Sequence, residues 1–342
     1  MAIGAYLAVM VTLSRLLTLR DKKKYRSLKN KYSTLVFESM RNNEARESLF
    51  ELLRVNPKHI PIVKEVCSDL LNEVGGETKN SVIEILEHPL IKDHYLKYFN
   101  SFNKKRKVKS LLYLRSIKTI PDSEVSRAIS LVDHRLHYLA HASALVILAS
   151  AKDNLHESVL IKMCKRSEDC KYTVVELLWE YWDNEFIPKE EKLICFQVLL
   201  GSEDISVEMK ALLVRIISSF NEKEFSIYFY DLLKFLIELD LQKKHYSFLA
   251  ALISALGKFD FKTAEEEIIK ATSVDNKAVK IAAIRALIKF KTTRAIQELV
   301  TIYSTSKDYL KKEISYLTEH DMDLSKTIVR SEVSVKNINE PE

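Results

Sequence analysis

The sequence predicts an all-α protein in which pairs of helices stack side by side as an α-α superhelix, or solenoid. Hydrophobic residues make up 47% of the 342 residues, whereas the chain holds only 5 Gly and 6 Pro. So few turn-forming residues argue against an all-β fold and against the glycine-rich phosphate loops of nucleotide enzymes. From about residue 27 apolar residues recur with helical spacing, without a convincing alternating run. These observations favour a solenoid of about eight helix pairs over two ordinary globular domains.

Short polar or acidic turns precede the segments that we interpret as the second helix of each pair. These turns lie near Asn42, Glu77, Lys104, Asp133, Glu168, Glu203, Leu241, Asp275 and Lys307. Neighbouring turns are roughly 27 to 38 residues apart, a spacing that suits a two-helix repeat. Pro and Gly residues also fall mostly between the helical patterns, where helices are expected to end.

The segment 273–290 carries the clearest repeat pattern. Its small residues Ala282, Ala283 and Ala286 share one helix face and would let a neighbouring helix approach closely. The segment resembles the second helix of a HEAT repeat, in which a turn Asp is followed at fixed spacing by Val, a basic residue, Ala and Leu. Here these places are held by Asp275, Val279, Lys280, Ala283 and Leu287.

The resemblance to the HEAT-repeat, armadillo-like family extends over roughly residues 35–320. It implies a non-enzymatic scaffold or adaptor whose second helices line a concave protein-binding surface. We therefore expect protein partners, no cofactor, no metal and no catalytic residues. The candidate protein-binding residues are Lys280, Arg285, His137, His141 and Lys210.

The N-terminal stretch permits two interpretations. Residues 2–14 are uncharged and mostly apolar, and a basic cluster follows at Arg20, Lys22, Lys23, Lys24 and Arg26. A helix over residues 2–19 would rise about 27 Å, close to the roughly 30 Å hydrocarbon core, with the cluster against anionic lipids on the cytoplasmic side. Bacterial HEAT-repeat proteins with an apolar N-terminal helix have a similar layout. Alternatively, this helix caps the solenoid.

The predicted organisation is an N-terminal helix with its basic cluster over residues 1–26, a solenoid over 27–325 and a disordered polar tail over 326–342. A net charge of +6 is mild for this length and argues against nucleic acid as a partner. The four cysteines form no CxxC pair, which favours reduced thiols and a cytoplasmic location. The basic run 104–107 resembles a nuclear-import signal, but we interpret it as the first turn of a helix.

Two groups of residues suggest an alternative function, a helical-repeat enzyme or a nucleic-acid-binding module. His134, His137 and His141 have a spacing that can hold a metal, but they flank the apolar face of one helix, so we interpret them as packing residues. Trp179 and Trp182 suggest the HEAT-like alkylpurine glycosylases, although their spacing is also that of an interhelical core.

One metal-dependent HEAT-like enzyme, deoxyhypusine hydroxylase, binds two irons through several His-Glu dyads. This sequence offers the single dyad His156-Glu157. One dyad cannot form such a centre, so the resemblance to this enzyme fails at the residues that would bind metal.

Overall fold

The structure is a computed structural model. It describes residues 22–71, 73–117, 120–150, 155–166, 171–238, 245–305 and 308–319. Within these ranges the ordered elements are helices and no β-strand occurs, so the predicted all-α helical-repeat fold is confirmed. The chain divides into two compact units, residues 1–150 and 151–342.

The first unit contains helices α1 to α8. Helix α1 includes residues 22–39, and its successors are α2 (Asn43–Val55), α3 (Ile60–Leu71), α4 (Gly76–Glu87), α5 (Pro89–Phe99), α6 (Lys104–Leu114), α7 (Asp122–Val132) and α8 (His137–Leu148). Local sequence fixes several helix starts. The side chain of Asn42 accepts a hydrogen bond from the backbone N–H of Glu44, and Asn103 accepts from Lys105 and Arg106 in the same way.

Polar side chains join the helices of the first unit. The Tyr113 hydroxyl on α6 donates to the Leu86 carbonyl at the end of α4, at 2.9 Å, and the Ser110 hydroxyl donates to the Tyr95 carbonyl on α5, also at 2.9 Å. The rings of Tyr95 and Tyr113 stack with their centroids 4.7 Å apart. Lys29 on α1 pairs with Glu65 on α3 at 2.7 Å. The Leu86 carbonyl lies in the last turn of α4, where it has no partner within the helix, and the Tyr113 hydroxyl satisfies it.

The second unit contains helices α9 to α18. They are α9 (His156–Arg166), α10 (Lys171–Asp183), α11 (Lys189–Gly201), α12 (Val207–Ser219), α13 (Phe225–Glu238), α14 (Tyr246–Lys258), α15 (Glu265–Thr272), α16 (Lys277–Phe290), α17 (Thr293–Thr305) and α18 (Asp308–Thr318). Each odd-numbered helix packs against the even-numbered helix that follows it. The even-numbered helices α10 to α18 also pack successively against one another, and we call them the second-helix layer.

The turns predicted near Asn42, Glu77, Lys104, Asp133, Glu203 and Asp275 lie at or close to the starts of α2, α4, α6, α8, α12 and α16. The turns predicted at Glu168, Leu241 and Lys307 lie outside the described residues. Helix α16 has the predicted core, because Val279, Ala283 and Leu287 are fully buried. Its N-cap is Asn276, not the neighbouring Asp275, and the Asn276 side chain accepts from the N–H groups of Ala278 and Val279. An amide side chain therefore performs the capping role.

Three second helices of this unit end in the same manner. A phenylalanine closes or directly follows the helix, and the next residue adopts the left-handed conformation. The pairs are Phe220-Asn221 after α12, Phe259-Asp260 after α14 and Phe290-Lys291 at the end of α16, with φ values of 62°, 53° and 52° at the second residue. A left-handed residue is a common helix terminator because it turns the chain sharply away from the helix axis.

The predicted terminal segments fall mostly outside the described residues, including the apolar stretch 2–19 and the tail 326–342. Four residues of the predicted basic cluster are exposed on α1: Lys22, Lys23, Lys24 and Arg26. The fifth, Arg20, lies outside the described residues. Within the ranges listed above, the structure contains no helix of the length and hydropathy needed to cross a membrane. The predicted domain limits stay predictions.

Candidate binding groove between α14 and α16

A surface groove with a volume of about 300 Å³ lies between α14 and α16 in the second unit. Its lining residues are Ser254, Gly257 and Lys258 from α14 and Ala282, Arg285, Ala286 and Lys289 from α16. Small residues form part of the lining and basic residues supply its charge. None of these lining residues is acidic.

The helices approach most closely where Gly257 meets Ala286. A Cβ atom placed on Gly257 would lie 2.8 Å from the Cβ and 2.9 Å from the Cα of Ala286. Such distances are shorter than real carbon contacts, so only glycine allows the backbones to be this close. Ala286 and Ala282 are buried beside this crossing. The predicted role of the small residues of α16, a close approach by a neighbouring helix, is confirmed.

Lys258 lies at the C-terminal end of α14. Its ammonium nitrogen donates to the Ser218 carbonyl oxygen near the end of α12, at 2.8 Å. The last carbonyls of a helix carry partial negative charge, so a cation is stabilised there. The contact fixes the position of Lys258 without neutralising its charge.

Arg285 lies near the middle of α16 and pairs with Glu313 on α18. Its Nε and Nη2 atoms donate to the same Oε1 atom, at 3.2 and 2.7 Å. The Arg285 side chain is 59% exposed, and ion pairs at such exposure contribute only about 0–1 kcal/mol. The guanidinium is thus oriented by Glu313 but still faces solvent.

Lys289 lies one helical turn beyond Arg285, so the two side chains occupy the same face of α16. Its side chain is exposed, and in the part of the chain that the structure describes this side chain forms no ion pair or hydrogen bond. Ser254 and Lys258 have the same four-residue relation on α14. The groove therefore combines a positive charge with room for a ligand.

The five predicted protein-binding residues lie on three helices, α8, α12 and α16. Arg285 lines the groove, whereas Lys280 lies on the same helix outside the lining and is half-buried. Lys210 is half-buried on α12, where burial lowers its pKa. His137 and His141 lie on α8 in the first unit, with ring centroids 6.5 Å apart. Their assignment as binding residues stays a prediction.

Ser254, Lys258 and Lys289 line the groove but were not predicted as binding residues. Each follows or precedes another lining residue by four positions, a spacing that places both on one helix face. That signal was present in the sequence. What the sequence lacked was any indication that the face of α14 and the face of α16 border the same groove.

Among the described side chains, no three of His, Cys, Asp and Glu lie together as a metal site. Burial raises the pKa of Cys67, Cys164 and Cys195 to about 12, so these cysteines remain thiols at neutral pH.

Trp182 stacks on Phe220 with a centroid distance of 4.6 Å, and Trp179 meets the edge of the same ring at 4.7 Å. Both tryptophans thus pack between α10 and the end of α12, as the interhelical interpretation predicted, although Trp179 remains 39% exposed.

Stacked helix pairs with a close-packed second-helix layer define the second unit as part of an α-helical repeat protein. A family profile for HEAT repeats matches residues 233–317, which include α14, α16 and the whole groove. The predicted HEAT repeats are thus confirmed over residues 233–317, within an all-α helical-repeat fold, and repeats of this kind commonly mediate protein interactions.

Among solved structures, the chain is similar to a crystal structure of an engineered protein from the Northeast Structural Genomics Consortium. The two are 14% identical, the alignment covers 93% of this chain and 96% of that one, and the TM-score is 0.37. A comparison with curated proteins finds no match.

Proposed function

We propose that this protein is a non-enzymatic scaffold that binds a partner protein through the second-helix layer of its second unit. The observation that carries the proposal is the groove between α14 and α16. It lies within the residues that match HEAT repeats, where partner binding by the second helices is the usual function.

The packing of the groove supports this function. The central residues of both helices are buried, including Leu252, Ile253 and Leu256 of α14 and Ala283 and Leu287 of α16. Such a surface is formed before the partner arrives, and a rigid site loses little conformational entropy on binding.

The chemistry of the lining also favours binding over catalysis. The Ser254 hydroxyl donates to the Ala250 carbonyl of its own helix at 2.7 Å. The lining contains neither a histidine nor a carboxylate that could accept a proton from this hydroxyl. The groove offers cations and hydrogen-bond donors, which hold a ligand but do not constitute a nucleophile with its base.

Site-specific photo-crosslinking tests the proposal. The full chain would carry p-benzoylphenylalanine at Ser254, inside the groove, or at Ile227, an exposed position on α13. We expect Ser254 to yield a discrete crosslinked protein in native cells and Ile227 to yield none of it.

The adduct is then treated with nuclease and with protease. An adduct that withstands nuclease and yields peptides of a second protein after digestion supports a protein partner. Removal by nuclease would instead support the alternative, a nucleic-acid-binding module, which the basic side chains of the groove make worth testing. An identical adduct from both positions, or none from Ser254, would contradict the assignment of the groove.

We propose in addition that residues 2–19 tether the scaffold to the cytoplasmic face of a membrane. The proposal rests on the apolar run and on the exposed basic residues of α1 that follow it. Full-length protein should pellet with membranes and resist extraction by high salt, and a chain beginning near Leu28 should remain in the supernatant. Full-length protein that stays in the supernatant as a monomer would favour the capping interpretation.

A further inference from the structure

We propose that the α14–α16 groove receives an acidic segment of the partner protein, whose carboxylates pair with Lys258 and Lys289. This inference rests on the proposed function and names the chemistry of the partner. Its starting point is the composition of the lining, in which Lys258, Arg285 and Lys289 occur without an acidic residue. A concave site lined by one sign of charge attracts the opposite sign.

The ion pair of Arg285 shows how a carboxylate meets this surface. Glu313 approaches from α18 and accepts two hydrogen bonds from the guanidinium. A partner carboxylate would accept single N–H donors from the ammonium groups of Lys258 and Lys289. Lys289 has no described partner, and Lys258 uses one of its three N–H groups on the Ser218 carbonyl, so both retain donors for a ligand.

The same lining disfavours a nucleic acid. Single-stranded nucleic acids gain much of their affinity from bases that stack on aromatic side chains. None of the seven lining residues is aromatic, and Gly257, Ala282 and Ala286 present only small apolar surfaces. Small surfaces of this kind suit the backbone and short side chains of a peptide.

Fluorescence anisotropy with defined probes tests the inference on the full chain. The probes are a fluorescein-labelled peptide that alternates Glu with Ala, the same peptide with Gln in place of Glu, and a labelled oligothymidylate. We expect the Glu peptide to bind most tightly and added salt to weaken it. Lys289→Glu should weaken its binding about fivefold or more, because the variant replaces an attraction by a repulsion.

The matched control is Lys234→Glu, which makes the same change of charge at an exposed position of α13. It should alter binding by less than about twofold, since it lies outside the groove. Circular dichroism of both variants should equal that of the unaltered protein, because both lysines are exposed.

Three results would overturn the inference: equal binding of the Gln peptide, an equal loss for Lys234→Glu, or tighter binding of the oligothymidylate. Crosslinking separates this failure from a failure of the proposed function. Suppose that a partner protein crosslinks at position 254 and still binds the Lys289→Glu variant fully. The groove would then remain a protein-binding site, and only the inference of an acidic segment would be wrong.

Discussion

In the first unit, long polar side chains connect neighbouring helices, whereas at the α14–α16 crossing of the second unit two helices touch almost backbone to backbone. Tyr113 reaches from α6 to the final carbonyls of α4. Gly257 and Ala286, by contrast, meet with no side chain of any length between them. The first arrangement depends on individual hydrogen bonds. The second depends on the small volume of the residues at the crossing.

The family profile matches the part of the chain that contains this close crossing. Close packing of small residues requires a particular residue size at a particular spacing, and such a pattern repeats from one helix pair to the next. Side chains that bridge over longer distances can be placed in many ways, so they leave no regular pattern. The match to HEAT repeats covers residues 233–317, in the second unit.

The largest effect on this comparison should come from Ala283→Leu. Ala283 is fully buried in α16, so the larger side chain must displace neighbouring helices and should lower the free energy of unfolding by about 2–3 kcal/mol. Denaturant unfolding measures the loss. Ala278→Leu, at an exposed position of the same helix, is the control and should change stability by less than about 0.5 kcal/mol. An unchanged unfolding midpoint for Ala283→Leu would show that side-chain volume does not determine how the helices of the second unit pack.

Gly257→Ala should have the next largest effect, a loss of about 1–2 kcal/mol. Alanine favours the helix by about 1 kcal/mol, but its Cβ would collide with the backbone of Ala286, and the collision outweighs the gain. Gly201→Ala is a matched control, because the added Cβ would meet only the Tyr228 hydroxyl, at 3.8 Å. We expect this control to be neutral or stabilising. Hydrogen exchange should localise the loss for Gly257→Ala to α14 and α16.

Tyr113→Phe should cost about 1 kcal/mol, because it removes the buried hydrogen bond to the Leu86 carbonyl and keeps the ring. Hydrogen exchange should show faster opening at the C-terminal end of α4 and unchanged exchange in α14 and α16. Tyr316→Phe, at an exposed ring of α18, should leave stability unaltered. Faster exchange in α14 and α16 would instead show that the loss of a hydrogen bond in the first unit also destabilises the close packing of the second unit.

Mild acid should have the smallest effect and should act on the first unit. Burial lowers the pKa of His59, His88 and His94 below the ordinary value of 6.5, so the folded state prefers the neutral rings. Their contribution to stability is therefore complete above pH 6.5 and declines as the pH falls from 6.5 towards the lowered pKa values. Denaturant unfolding between about pH 7.5 and pH 5 measures this decline.

His88 allows a specific control. Its Nδ1 atom accepts from the N–H of Leu90 at the start of α5, and its ring stacks on Phe50 with centroids 3.5 Å apart. Asparagine can accept the same hydrogen bond and does not titrate, so His88→Asn should reduce the pH dependence. A pH dependence that is unchanged in this variant would assign the acid sensitivity to other groups.

The sequence was sufficient for the fold and for single helices. Helical spacing and polar turns located the even-numbered helices, and the pattern of Val279, Ala283 and Leu287 identified the buried face of α16. These features depend on residues close together in the chain. The groove could not be predicted, because it depends on Gly257 lying against Ala286, and that contact joins two helices of different repeats.

The first unit shows the same limit. The hydroxyl of Tyr113 finds its hydrogen-bond acceptor in another helix pair. Nothing near Tyr113 in the sequence indicates which carbonyl it would reach. Arg285 was predicted as a binding residue and does line the groove, yet its partner Glu313 also lies in a later repeat.

The shared ending of α12, α14 and α16 has an evolutionary consequence. Because Asn221, Asp260 and Lys291 turn the chain through the same left-handed conformation, each leads the chain out of one repeat and into the next in a similar way. A duplicated copy of such a repeat would begin and end with junctions that its neighbours already accept. This part of the chain can therefore lengthen or shorten by whole repeats through gene duplication and deletion, while the junctions on either side of the change are preserved.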